Sequence, residues 1–102
     1  MPAWVLSPLA CAELEDILRF IAEDSGSDVI AAKVLDDFTD ALDTLAASPG
    51  IGWHRNQLTG PDIRWWRVHS YLLAYNPLTK PLRVIRVLHS SRDLERLFRE
   101  DD

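Results

Sequence analysis

Four arginines, two adjacent indoles and one histidine are the residues whose types and spacing invite chemistry. Arg64 and Arg67 flank the pair Trp65-Trp66 in the run DIRWWRV, Arg83 and Arg86 punctuate LRVIRVLH, and His89 ends that run. On a strand alternate residues share a face, so Arg64 sits with Trp66 and Val68, and Arg67 with Ile63 and Trp65. Guanidinium groups stack on aromatic faces and fork to carboxylate or phosphate, and Trp and Arg are enriched at binding hot spots. Two chemistries are open to such a set. One is docking on another macromolecule through Arg64, Trp66, Arg67, Arg86 and Arg92. The other is phosphodiester cleavage, with His89 moving a proton and Arg64 or Arg86 stabilising charge on phosphorus. A simpler reading stands beside each: strand arginines also form a solvated sheet face, and a histidine at a strand end is often a capping or core-edge residue. At least one of Trp65 and Trp66 is expected to be buried, because adjacent strand positions face opposite sides.

Other chemistries lack their parts. His54, His69 and His89 fall on different elements, with no HExxH, no His pair at i and i+4 and no CxxC, so no metal site is expected. No GxSxG, P-loop or GxGxxG is present, and no cofactor is implied. Cys11 lies beside the apolar stripe of the first helix, where a structural thiol is the expectation. Gly50, Gly52 and Gly60 punctuate a connector, which assigns them to turns. Asp36, Asp37, Asp40 and Asp43 crowd one helix as a solvated face that would also attract a basic partner.

The elements that must position these groups come from a chain of 102 residues, 47% apolar and 26% charged, which is enough for one core and one domain spanning 1–102. A lone cysteine permits no internal disulfide and suits a reducing compartment. The amino terminus has no basic n-region and no stretch approaches a membrane span, so a soluble, cytoplasmic protein is expected. The net charge of −5 is unevenly spread: residues 1–50 hold two bases against ten acids, and residues 51–102 hold nine bases against six acids. An acidic side and an arginine-rich side follow, the latter suited to an acidic protein surface or to phosphates.

Periodicity supplies the order of elements. Residues 3–6 (AWVL) read as a short strand. Ser7-Pro8 is an N-cap followed by a first-turn proline, and Ala10, Leu14, Ile17, Leu18 and Ile21 recur at helical spacing up to Asp24-Ser25-Gly26. Ser27 or Asp28 caps a second helix through Ile30, Val34, Phe38, Ala41, Leu42 and Leu45 to Ala47. Ser48-Pro49-Gly50 ends it. So short a joint makes the two helices an antiparallel hairpin. After a connector over 51–61, three strands are predicted at 63–68, 71–75 and 82–88, with His69-Ser70 as a tight turn. A short helix is predicted over 92–99, with Leu94, Leu97 and Phe98 at helical spacing. The predicted fold is α+β, in the order β-α-α-β-β-β-α, with the helical hairpin packed on a small, mostly antiparallel sheet.

The runs LSPLACAELEDILRFIAEDSG, LAASPGIGWHRNQL, DIRWWRVHSYLLAYNP and LRVIRVLHSSRDLERLF, spanning about residues 4–98, together resemble the ParE toxins of type II toxin–antitoxin pairs, within the RelE/ParE superfamily. The ordered set R…V.SYL..Y, a basic-apolar strand, then RVLH..RD carries the resemblance. It implies a cytoplasmic toxin that inhibits DNA gyrase, or the related topoisomerase IV, by stabilising its cleaved-DNA complex. It also implies a ParD-like antitoxin that neutralises the toxin in a hetero-oligomer. ParE-like members are not regarded as enzymes. The alternative is a ribosome-dependent messenger-RNA endoribonuclease of RelE type using Arg64, Arg86 and His89, but the chain has no lysine-rich second helix and no tyrosine near the carboxyl terminus. An acidic total also disfavours a seeker of RNA, whose affinity rests on neutralising phosphates.

Overall fold

Local chemistry sets the helix ends. In the computed structural model, which describes residues 2–54 and 63–90, Ser7 caps α1 (Pro8–Ser25): its Oγ accepts from Ala10 N at 3.0 Å, and Pro8 occupies the first turn. Gly26 closes α1 at φ 68°, a left-handed conformation that costs glycine nothing sterically. Ser27 then caps α2 (Asp28–Ala47), its Oγ accepting from Ile30 N at 3.3 Å. Ser48 ends α2 by donating its N–H to Thr44 O at 3.0 Å, and a 3-10 turn follows at Pro49–Ile51.

Five strands form one sheet: β1 (Trp4–Leu6), β2 (Trp53–His54), β3 (Arg64–Val68), β4 (Tyr71–Asn76) and β5 (Leu82–His89), in the order β1-β5-β4-β3-β2. β1 runs parallel to β5 with Leu6 opposite Val84; every other pair is antiparallel. The β3–β4 hairpin turns at His69-Ser70, where His69 takes φ 54° as two-residue hairpin loops demand. A bulge leaves Ile85 as the extra residue, since Ala74 faces Arg86 while Tyr75 faces Val84. The observed order β-α-α-β-β-β is the predicted one, with strand ends shifted by one residue. β2 is an addition inside the segment 51–61 expected to be a plain connector, the 3-10 turn falls mostly on the Ser48-Pro49-Gly50 stop of α2, and the helix predicted over 92–99 lies outside the described residues.

Both faces of the sheet carry buried side chains. On the helix side, Phe38, Leu42 and Leu45 of α2 and Ala10 and Leu14 of α1 pack on Val68, Leu73, Tyr75, Val84 and Val87. On the other side, Trp65, Leu72, Ala74 and Leu88 form a second cluster with Ile63 against it. Each fully buried Leu, Val or Phe contributes about 1.5–3 kcal/mol relative to exposure, so the helix-side cluster holds the hairpin to the sheet.

Candidate functional site

Strand register decides which of the sequence-selected groups share a face. Cross-strand partners project to one side, so Arg64 (opposite Tyr75), Trp66 (opposite Leu73) and His89 (opposite Tyr71) belong to the helix-side face. Arg67 (opposite Leu72) and Arg86 (opposite Ala74) belong to the other. Trp65 is the fully buried indole, whereas Trp66 is half-buried at the margin of the helix-side core. Arg92 lies outside the described residues.

Each arginine has local work. Arg64 donates from Nη1 to Gly52 O at 2.7 Å, fastening the connector that leads into β2. Arg67 is exposed and braces its own turn, Nε donating to His69 O at 3.0 Å and Nη2 to Ser90 Oγ at 3.3 Å. Arg86 reaches round the edge of β5 to α1, where Nε and Nη2 donate to the Glu13 carboxylate at 3.1–3.2 Å. The Val87 N–H donates to that same carboxylate at 3.0 Å. β1 ends at Leu6, opposite Val84, so that on this edge the far half of β5 has no strand neighbour among the described residues. Ser7 Oγ donates to Ile85 O at 2.9 Å and Glu13 satisfies Val87 N, so α1 side chains finish the edge that β1 leaves open. His89 stacks edge-on against Tyr71, centroids 5.3 Å apart.

The three groups needed for phosphodiester cleavage do not converge. Arg86 has its guanidinium taken up by the Glu13 carboxylate of α1. Arg64 and His89 share a face, but their partners Tyr75 and Tyr71 stand four residues apart on β4, roughly 13 Å along the strand, with two strand spacings between them as well.

Two further clusters hold the frame, and neither was selected from the sequence. Tyr75 is fully buried; its hydroxyl donates to Pro49 O at 2.7 Å and accepts from Gly52 N at 3.0 Å, tying the end of α2 to the sheet. Burial pushes its phenol pKa above the usual 10, against the opposing effects of the Gly52 N–H and the Arg64 charge. Asp37 of α2 meets His69 of the β3–β4 turn at 2.7 Å and Lys33 at 3.1 Å. The hydrogen bond from His69, then that from Lys33, holds the Asp37 carboxyl below its usual range, and Asp37 raises Lys33 in return. Tyr75 was legible as part of a sequence run but not as a latch. Asp37 looked like one more acid on a solvated helix face. Among the described residues no three His, Cys, Asp or Glu are grouped to hold a metal ion, and no helix is long and apolar enough to cross a membrane.

This arrangement, a helical hairpin packed on one face of a mixed five-stranded sheet, defines an α+β domain. The structure is similar to a solved one described as the chromosomal ParDE TA system from P. aeruginosa, with a TM-score of 0.69 and 17% sequence identity over 84% of this chain and 92% of that one. A search of curated proteins finds no match. Residues 5–94 match the model of the family described as ParE toxin of type II toxin-antitoxin system, parDE, and the chain belongs to that family.

Proposed function

We propose that this chain is the toxin of a ParDE-type pair that acts in the cytoplasm, inhibiting DNA gyrase without breaking bonds itself, and that a ParD-like antitoxin neutralises it in a hetero-oligomer. Family membership over residues 5–94 carries the reading. The distance between Arg64 and His89, and the engagement of Arg86 by Glu13, support the non-enzymatic form over a RelE-type nuclease, which would need all three around one phosphate.

The mechanism is a population shift. Gyrase passes through a state with cleaved DNA, and a protein that binds this state better than the resealed one accumulates it. Moving that equilibrium from 1:99 to 99:1 requires about 10⁴-fold preferential binding, roughly 5.5 kcal/mol. Exposed Arg67, and Arg92 beyond β5, are the proposed polar anchors. Arg64, Trp66 and Arg86 shape the surface from below while they hold the connector and the β5 edge.

The deciding experiment adds purified chain to gyrase with supercoiled plasmid and, separately, to translating ribosomes. Linear plasmid that accumulates with toxin and disappears when the antitoxin is added supports the proposal. Cleaved message with unaffected supercoiling overturns it in favour of the nuclease. The same assay with topoisomerase IV identifies which enzyme is the target.

A further inference from the structure

At the end of the sheet opposite the His69-Ser70 turn, the start of the chain, the end of α2 and the β4–β5 turn surround an open cavity of about 410 Å3. That volume falls in the range of pockets that bury a ligand or a large side chain, about 300–1,000 Å3. Pro2, Pro49, Pro77 and Pro81 line it beside Ala3 and Ala46. Proline rings fix φ, so these walls are pre-shaped and little ordering is required when an occupant enters. Leu78, between the lining residues Pro77 and Thr79, adds an apolar side chain that is 75% exposed.

Charge singles out the occupant. Lys80 is the charged residue of the described lining, which contains no carboxylate. It is exposed and forms no ion pair with a described residue. Arg83, next to the lining residue Leu82, is likewise exposed, and residues 77–83 (PLTKPLR) contain two bases and no acid in a chain of net charge −5. An apolar pre-formed cavity beside an unpaired ammonium fits an apolar side chain with a carboxylate next to it. A recessed cavity of this size is reached more readily by a strap that orders on binding than by the flat surface of a large folded enzyme.

We propose that this cavity is an anchor site for the antitoxin, seating one aromatic or branched aliphatic side chain of an acidic segment whose carboxylate meets Lys80. The inference rests on the reading of the chain as a toxin with an antitoxin partner. Charge reversal, Lys80→Glu, changes an exposed residue and leaves the fold intact. It is expected to weaken antitoxin binding, measured by calorimetry at low salt, at least tenfold and to flatten its salt dependence. Leu78→Ser, also at an exposed position, is expected to weaken it several-fold. A second probe is 3-indolepropionate, titrated into the full chain labelled with nitrogen-15. Saturable shifts at the amides of Ala3, Ala46 and Leu82, several-fold weaker with the neutral amide analogue, support the site. Absence of saturable shifts, or equal binding of the analogue, overturns it. Wild-type chain that binds the antitoxin with Lys80→Glu within twofold overturns the anchor while the toxin reading stands. Wild-type chain that binds no antitoxin overturns both.

Discussion

Replacing Glu13 by alanine removes one carboxylate that accepts from Arg86 Nε, Arg86 Nη2 and Val87 N at 3.0–3.2 Å. The two side chains are only 13% and 17% exposed, which places the pair nearer the buried than the surface limit. Removing one partner of a buried pair costs about 3–5 kcal/mol, whereas exposed pairs contribute about 0–1. An intermediate cost of about 2–3 kcal/mol follows for Glu13→Ala, with roughly 1–3 of it from the Val87 N–H left unsatisfied. Glu13→Gln keeps an acceptor for that N–H but loses the charge, and is expected to cost about half as much. Urea denaturation reads both, with an unchanged m-value showing that the denatured state is not involved. In a thermal scan the alanine variant should melt roughly 8–24 °C lower, since 1 kcal/mol moves a domain of this size by about 4–8 °C. The cycle with Arg86→Met isolates the pairwise interaction, and residues in contact should couple by about 0.5–3 kcal/mol. A Glu13→Ala cost below about 1 kcal/mol, with no coupling to Arg86, is the behaviour of a surface pair. It would refute the assignment of Glu13 as closure of the β5 edge.

Other perturbations test the rest of the frame. Tyr75→Phe keeps the buried ring but strands Gly52 N–H and Pro49 C=O, and is expected to cost about 1–3 kcal/mol by chemical denaturation. Gly52→Ala should be worse, because a Cβ there would stand 2.7 Å from Trp65 O as well as against the Tyr75 hydroxyl, neither of which can retreat; loss of soluble folded protein at 37 °C is the expected readout. Asp37 has a folded pKa below its unfolded value, so its contribution is present above about pH 4 and is lost as pH falls through the depressed value. Asp37→Asn should therefore reduce the loss of stability between neutral pH and pH 3 in parallel acid titrations followed by circular dichroism.

The helical hairpin was legible because its signals are local: Ser7-Pro8, Gly26 and Ser27 each act on backbone groups within one turn. The β3–β4 hairpin was legible for the same reason, since a two-residue turn leaves few alternatives. β2 was not, because two residues carry no periodicity, and Trp53 is placed only by its pairing with Trp65. Alternation required that Trp65 or Trp66 be buried but could not say which, since both sheet faces hold buried clusters. The contact of Glu13 with Arg86 joins residues 73 apart. It exists because β1 is five residues shorter than β5, a mismatch that appears only once the parallel register is known. The arginines therefore read in sequence as one docking patch, while in the fold Arg64 fastens the connector into β2 and Arg86 fastens the β5 edge to α1.

That redistribution bears on what the toxin recognises. Arg19 and Lys33 pair with acids on their own helices, Arg64 and Arg67 donate to backbone oxygens and Arg86 holds Glu13. Among the described bases, only the side chains of Lys80 and Arg83 have no such partner. Binding to duplex DNA depends on releasing counterions with several cations at once, and the ten acids against two bases in the first fifty residues oppose it. A protein partner needs only a few charges placed beside apolar surface. The chain alone is therefore expected to show no saturable binding to a fluorescent 30-base-pair duplex below about 100 μM at 150 mM salt, the weak end of non-specific association. Low-micromolar binding that falls steeply with salt would instead put phosphate neutralisation at the centre of its action.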